Sequence, residues 1–290
     1  MRKIMNSLFG FFCLLFLVGL IGLIWQYSQQ PDMGFRFEQV REERAITMPF
    51  TAIELETDTA DVVLSISKTS QASAKMVGEV SSSRKGKQEF ITEVTPDGTL
   101  HVSLKEQQLN YVGIKLPFNS DFGMGKLELQ LTLPELVYEQ VVARSGTGDI
   151  RAGRLKAKQA RLQSSTGDVE LEGFEGDVLE VKTDTGDMDL PAVTAKVQLV
   201  SSTGDVKRLQ LNAFTNDADI HTDTGDVHVT IRPLPDSAQL DLASDVGDVE
   251  ADWPRLDYTE KGRHRLIGSV GSEGPKLTVR SSTGDIRIQQ

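Results

Sequence analysis

The sequence predicts an all-β protein whose main part is a parallel β-solenoid, a rod of stacked coils of about 20 residues each. A short phrase recurs seven times between residues 141 and 290, as Thr-Gly-Asp in six copies and as Val-Gly-Asp in one. Apolar and polar residues alternate around each copy, as in strands with one buried face. After residue 25 no stretch has the apolar periodicity of a long helix. Each copy therefore predicts a strand, a tight turn and a second strand.

The seven phrases read SGTGDI, SSTGDV, TDTGDM, SSTGDV, TDTGDV, SDVGDV and SSTGDI. Successive glycines are 19, 19, 18, 21, 22 and 37 residues apart, so the seventh copy follows an insertion. A coil this short cannot bury its own apolar face, and a fixed period therefore indicates that coils stack on one another. The predicted turn glycines are Gly148, Gly167, Gly186, Gly204, Gly225, Gly247 and Gly284.

Aligning the copies on their glycines shows what each position does. The residues five before and two after the glycine are apolar in every copy, as Leu162 and Val169 are around Gly167. The residue three before it is always Ser or Thr, and strand parity turns this hydroxyl inward. Glycine adopts a positive φ readily and aspartate can accept backbone N–H bonds, so Thr-Gly-Asp predicts a tight corner.

The N-terminal part predicts a cytoplasmic N-terminus (1–7), a transmembrane signal anchor (8–25) and a polar stalk (26–44). Residues 8–25 carry no charge, and 18 helical residues span roughly 27 Å of a hydrocarbon core about 30 Å thick. Arg2 and Lys3 precede this run, so the positive-inside rule predicts a single pass with the rest of the chain extracytoplasmic. A cleaved signal peptide is the alternative, but no small-x-small cleavage site follows the apolar run.

Residues 45–140 predict a β-rich N-terminal cap, and residues 141–290 predict the solenoid of Thr-Gly-Asp repeats. Within the cap, residues 50–68 fit the repeat as an eighth, degenerate copy with Ala60 in place of the glycine. Short turns such as T-P-D-G indicate antiparallel hairpins that cover an exposed edge. The insertion at 250–276 predicts either a hairpin excursion or a terminal cap, and the pattern does not decide between them.

Composition excludes several classes of function. The net charge of −11 argues against nucleic acid and anionic membrane surfaces as partners. The single cysteine, Cys13, lies in the apolar run, which rules out a disulfide framework, a thiol nucleophile and a cysteine-based zinc site.

The aspartate after each glycine is the only repeated candidate for a metal ligand. Stacked one coil apart, ionised neighbours would repel one another, so something must offset the repulsion. Either each carboxylate accepts backbone N–H bonds at its corner, or Ca²⁺ runs along the ladder with Asp184, Asp223 and Asp245 supplying further oxygens. The phrase differs from the calcium-binding nonapeptide repeat, so we expect no metal and no cofactor. The aspartates of this cation ladder are Asp149, Asp168, Asp187, Asp205, Asp226, Asp248 and Asp285.

The sequence contains no recognisable motif of catalytic residues. His221 and His228 flank one corner but recur in no other copy, so we expect exposed strand positions and not a metal site. A Ser nucleophile needs a base and an orienting group held beside it, and no G-x-S-x-G element occurs. We therefore expect no enzyme. The alternative from the enzyme class is a polysaccharide-active β-helix lyase or hydrolase.

The sequence combines four features: an N-terminal anchor, an I-E-L-E-T-D-T-A-D-V strand pair, a strand ending in L-T-L-P, and serial S-S-T-G-D-V repeats. This combination resembles a bacterial β-strand-repeat family, domain of unknown function 4097, also labelled "putative adhesin", over residues 45–290. The resemblance implies a cell-envelope β-solenoid tied to adhesion or to envelope stress, and it brings no catalytic residues. The chain departs from the family pattern at Ala60 and at Val246, which replaces the usual threonine.

The sequence thus predicts a membrane-anchored, extracytoplasmic, non-catalytic solenoid. Its function would be to present a repetitive surface to a polymer or protein of the cell envelope. A polysaccharide-active enzyme and a calcium-binding repeat protein are the alternatives.

Overall fold

The computed structural model describes residues 12, 14–22, 25, 37–81, 85–106 and 125–290. Residues 12, 14–22 and 25 are helical. Among the described residues, no helix combines the length and apolar character needed to cross a membrane. The rest of the predicted anchor, the predicted cytoplasmic N-terminus and residues 26–36 of the predicted stalk lie outside the described residues.

The described part from residue 37 onward consists of strands and turns, which confirms the prediction of an all-β, solenoid-like fold. In chain order the strands are β1 (Phe37–Ile46), β2 (Ala52–Thr57), β3 (Asp61–Ser67), β4 (Ala72–Ser81), β5 (Gln88–Val94), β6 (Thr99–Glu106), β7 (Leu127–Pro134), β8 (Tyr138–Ser145), β9 (Ile150–Thr166), β10 (Val169–Thr185), β11 (Met188–Thr203), β12 (Val206–Asn212), β13 (Ala218–Thr224), β14 (Val227–Arg232), β15 (Ala238–Val246), β16 (Val249–Ala251), β17 (Asp257–Lys261), β18 (Arg265–Val270), β19 (Lys276–Thr283) and β20 (Ile286–Gln289).

Each coil contains one strand before the Thr-Gly-Asp corner and one strand after it. Strands before the corner pair in parallel into one layer, here called the incoming layer, in the order β6, β2, β8, β9, β10, β11, β13, β19, β15. Strands after the corner form the outgoing layer in the order β7, β3, β9, β10, β11, β12, β14, β20, β16. The long strands β9, β10 and β11 belong to both layers because each bends at the edge opposite the corners, here called the return edge.

The core lies between the two layers, and the aligned apolar columns fill it. The residues seven and five before the glycine and two after it are all buried, as Ala160, Leu162 and Val169 are around Gly167. The hydroxyl three before the glycine is also buried in every copy. Stacked coils therefore share one continuous interior, and no coil buries its apolar residues alone.

The spatial order of the coils differs from their order in the chain. The final copy, β19 and β20, lies between the Gly225 coil and the Gly247 coil, because β19 pairs with both β13 and β15. The 250–276 insertion contains the antiparallel hairpin β17–β18, and β18 pairs with the free edge of β15. Trp253 and Leu256 are buried beside this hairpin. The insertion thus caps the C-terminal end, and the last strand pair does not close the array.

The N-terminal end is also covered by antiparallel strands. The hairpin β5–β6 turns at residues 95–98, and β4 pairs antiparallel with β7. Residues 37–44 belong to the strand β1 and pair with β4, although the sequence placed them in the stalk. Most of this strand is exposed and charged, with none of the apolar alternation that marks the other strands. Charged edge strands are a common way to prevent pairing with another chain.

Candidate functional site

The Thr-Gly-Asp corners lie in one column along the edge of the rod. A Cβ on Gly186 would lie 2.1 Å from the carbonyl oxygen of Gly167, and Gly186 has a φ of +148°. In every successive pair of corners, a Cβ on the glycine would lie equally close to the carbonyl oxygen of the corner before it. From the N-terminal end the column runs Ala60, Gly148, Gly167, Gly186, Gly204, Gly225, Gly284 and Gly247. Only glycine permits coils to stack this closely at this backbone conformation.

The aspartates form a ladder of hydrogen bonds between coils. The N–H of Asp187 donates to Oδ1 of Asp168 at 2.8 Å, and the N–H of Asp205 donates to Oδ1 of Asp187 at 2.8 Å. The same bond joins each of the other neighbouring pairs, from Asp61 to Asp248, at 2.7–3.1 Å. Each of these carboxylates except that of Asp248, the last in the ladder, therefore satisfies a backbone donor that stacking would otherwise leave without a partner.

Cations offset the repulsion along part of the ladder. Asp149 pairs with Arg151 at 2.5 Å, Asp187 with Lys207 at 2.6 Å, and Asp285 with Arg287 at 2.9 Å. Burial raises the pKa of the Asp187 carboxyl, but the hydrogen bonds and charge of Lys207 and the N–H of Asp205 together hold it below its usual value.

The pKa of Asp61, at the start of the ladder, is lowered in the same way. Burial opposes the shift, while Lys126, the N–H of Asp149 and Arg151 outweigh it. Lys126 lies 3.0 Å from Asp61 Oδ2. The charges therefore favour ionised carboxylates at both positions.

The expectation of no metal stays a prediction, and so does its alternative, a calcium ladder. In residues 37–81, 85–106 and 125–290, no three His, Cys, Asp or Glu side chains are grouped as ligands of one metal ion. Oδ1 of every ladder carboxylate except that of Asp248 accepts a backbone N–H, and Oδ2 of Asp61, Asp149, Asp187 and Asp285 pairs with a lysine or an arginine. The further aspartates Asp184 and Asp223 lie 3.7 Å from Lys182 and 3.3 Å from His221, respectively.

The histidines occupy separate strand and hairpin positions. His221 lies on β13 beside Asp223, whereas His228 lies on β14 with Nε2 3.4 Å from Arg287. His264 Nδ1 is 2.6 Å from the carbonyl oxygen of Gly247, and His101 is 3.8 Å from Glu54. The structure thus places these four side chains in four different local environments.

The threonines before the corner glycines form a second column, which faces solvent. Paired strands place Thr185 beside Thr166 and Thr203, and place Thr224 beside Thr203 and Thr283. All of them are exposed, and so are Thr147 at one end and Val246 at the other. Neighbouring coils are about 4.8 Å apart, so the column repeats at that spacing. The seven phrases reveal this column in the sequence, but only the structure shows that its side chains face solvent.

A crevice on the return edge was not predicted from the sequence. The β3–β9 ladder ends at Leu64 and Ala152, and the N–H of Glu135, in the connector between β7 and β8, donates to the carbonyl oxygen of Ser67 at the end of β3. Beyond that point a cavity of about 540 Å³ opens. Its lining includes Ile66, Lys68, Leu136, Arg154, Lys156 and Phe174. Exposed apolar residues in the connector, Leu136 and Val137, are the one sequence signal that could have indicated it.

The sequence profile of the Toastrack DUF4097 family matches residues 50–289. A "putative cell adhesion protein" from Clostridium sporogenes is 15% identical, with a TM-score of 0.36, over 87% of this chain and 100% of its own. A "putative adhesin" from Bacteroides fragilis is 12% identical, with a TM-score of 0.43, over 87% and 97%. A "putative lipid binding protein" from Parabacteroides distasonis is 14% identical, with a TM-score of 0.36, over 85% and 96%. No curated protein matches the chain.

The family match confirms the resemblance drawn from the repeats, and it covers the strand-rich part of the chain from β2 to β20. The protein therefore belongs to the Toastrack family, domain of unknown function 4097.

Proposed function

We propose that this protein is a membrane-tethered, extracytoplasmic solenoid that presents a repetitive edge to a polymer or protein of the cell envelope, without catalysis. The observation that carries the proposal is the column of exposed threonines at the corners. It offers the same hydroxyl and methyl groups at six positions along the rod. These residues are Thr147, Thr166, Thr185, Thr203, Thr224 and Thr283.

A regular column suits a ligand that is itself repetitive. Each threonine offers one weak hydrogen bond, but several contacts to one polymer bind as linked events and raise the overall affinity. The stacked coils hold the column straight, because glycine, aspartate and hydroxyl groups all bond from one coil to the next. Little conformational entropy is then lost when the ligand binds.

The membrane tether rests on the sequence of residues 8–25. This run is apolar and uncharged, and Arg2 and Lys3 precede it. A tether at this end would leave the rod outside the cytoplasm, where envelope polymers are accessible. Membrane fractions washed at alkaline pH test this proposal. The full chain should stay with the membrane and a variant without residues 1–34 should not, whereas release of both would contradict the tether.

Binding can be measured by sedimenting the full chain, in detergent, with insoluble cell-wall glycans such as peptidoglycan. We expect the wild type to sediment with at least one glycan, and a variant with Thr185→Val, Thr203→Val and Thr224→Val to bind at least about tenfold more weakly. These side chains are exposed, so the replacements should leave the fold intact.

A matched control carries Thr132→Val, Thr230→Val and Thr278→Val. These three threonines are half-buried on the outer faces of the layers, away from the corners. The control should bind as the wild type does. Equal binding by both triple variants would overturn the role of the threonine column, and release of soluble sugars from any glycan would favour the enzyme alternative.

A further inference from the structure

The coil that contains Gly284, residues 276–289, occupies a slot between two coils that precede it in the chain. Its first strand, β19, pairs with β13 on one side and β15 on the other, and its second strand, β20, pairs with β14 and β16. Its apolar residues are buried between these neighbours, namely Leu277, Val279, Ile286 and Ile288. Without this coil, the slot would expose four strand edges and an open gap in the core.

The corner of the Gly284 coil bonds to both walls of the slot. The N–H of Asp285 donates to Oδ1 of Asp226 at 2.7 Å, and the N–H of Asp248 donates to Oδ1 of Asp285 at 2.8 Å. The N–H of Gly225 donates to the carbonyl oxygen of Thr283 at 2.9 Å. Bonds of the same kinds hold the other corners together, so the slot recognises a Thr-Gly-Asp strand pair by the repeat itself. This recognition does not depend on which chain supplies the strand pair.

A short connector, residues 271–275, joins the cap hairpin to the Gly284 coil. The strands that it joins, β18 and β19, lie on opposite sides of β15, so the connector must pass over the start of β15. Gly271 has a φ of +70°, and an added Cβ there would lie 2.8 Å from the Cβ of Ser237. A Cβ on Gly274 would lie 2.5 Å from the carbonyl oxygen of Ser237. Short hinge loops under such tight packing favour the exchange of a segment between copies.

Both walls of the slot come earlier in the chain than the coil that fills it. Because synthesis proceeds from the N-terminus, the walls can form while this coil is still absent. Open strand edges pair readily with strands of other chains. The same coil of a second copy has identical apolar residues and an identical corner, so it fits the open slot as well as the chain's own coil does.

We propose that the slot is an interaction site for a second copy of this chain. Two copies exchange residues 276–289, with residues 271–275 as the hinge, so that each Gly284 coil fills the slot of the other copy. Exchange preserves the strand pairings of the closed form and needs no new interface to stabilise the dimer. The exchange joins two rods, whereas the threonine column lies on each rod separately, so either proposal can fail alone.

A disulfide between two copies tests the exchange. One full-length copy carries His221→Cys and a size tag, the other carries Arg280→Cys, both carry Cys13→Ser, and the two are co-expressed and purified in detergent. Because His221 on β13 is paired directly with Arg280 on β19, the two cysteines become neighbours only in an exchanged pair. After mild oxidation we expect a linked heterodimer on a non-reducing gel. The control replaces Arg280→Cys with Ala243→Cys on β15, a strand that does not pair with β13, and should give no heterodimer.

No disulfide with Arg280→Cys, or equal amounts with both partners, would overturn the proposal. A dimer seen by light scattering without this disulfide would overturn it too, since the copies would then meet through another surface.

The length of the connector provides a second test of the hinge. Four Gly-Ser residues inserted after Ser272 should lower the linked fraction, because the chain's own coil then returns to the slot without a tight crossing. Deletion of Ser272 and Glu273 should raise it. As a matched control, the same insertion after Asp97, in the turn between β5 and β6, should leave the linked fraction unchanged. A linked fraction that ignores the connector length, or that follows the control insertion equally, would overturn the exchange.

Discussion

Replacing Gly186 by alanine tests whether the corners hold the coils together. The added Cβ would lie 2.1 Å from the carbonyl oxygen of Gly167 and 2.6 Å from its carbonyl carbon. Both atoms belong to the backbone of the neighbouring coil, so no flexible side chain can move aside. The φ of +148° is unfavourable for any residue that carries a Cβ. The substitution must therefore either separate two coils or distort the corner.

The expected cost follows from these two effects. A residue with a Cβ in a left-handed backbone conformation costs about 1–2 kcal/mol, and overpacking against a fixed neighbour costs about 1–3 kcal/mol. We expect the free energy of unfolding to fall by about 2–5 kcal/mol. For a domain of this size, that corresponds to a Tm lower by about 4–20 °C.

Thermal unfolding followed by circular dichroism measures this change. Gly153→Ala is the matched control, because its Cβ would meet no atom nearer than the Leu64 carbonyl oxygen at 3.6 Å. That variant should unfold within about 0.5 kcal/mol of the wild type, as substitutions away from close contacts do. An unchanged Tm in Gly186→Ala would refute the close stacking of the corners.

Three further predictions concern the ladder and the order of the coils. The pKa of Asp187 is below its usual value in the folded protein, so its contribution to stability should be present above the unfolded pKa of about 3.9 and be lost as the pH falls through the folded pKa. Tm measured against pH should therefore decline less steeply at acidic pH in Asp187→Asn, and parallel profiles would contradict this. Chelator and excess calcium should leave the Tm unchanged, whereas a rise with calcium would assign a cation to the aspartate column. In a chain with Cys13→Ser, His221→Cys should form a disulfide with Arg280→Cys but not with Ala243→Cys, because β13 pairs with β19. Gel mobility under non-reducing conditions distinguishes the two pairs.

The two departures from the repeat have a structural reason. Gly148 stacks on the carbonyl of Ala60, so Ala60 is the first member of the column. Val246 belongs to the Gly247 coil, the last member, and its side chain is 64% exposed. Interior corners need glycine because each one stacks on the backbone carbonyl of the corner before it. End copies of solenoids are atypical because they serve as caps.

Residues 37–44 and the return-edge crevice show where sequence patterns failed. The strand β1 is charged and mostly exposed, so it lacks the alternation that identified the other strands. The crevice opens where the pairing of β3 with β9 ends, beside the connector 135–137, and its position depends on which strands pair. Neither feature shows a periodic pattern of apolar residues along the sequence. The sequence prediction depended on such patterns, so it missed both.

The sequence by itself determined the coil: its two strands, its glycine corner, its buried columns and the family to which the chain belongs. These features are local and recur at a fixed period, so seven copies reinforce one pattern. Only the tertiary structure decided the order in which the coils stack and where the return edge opens. The copies are so similar that a strand of one coil could pair with the strands of several others. The connectors and caps, which have no periodic sequence pattern, decide which coils become neighbours.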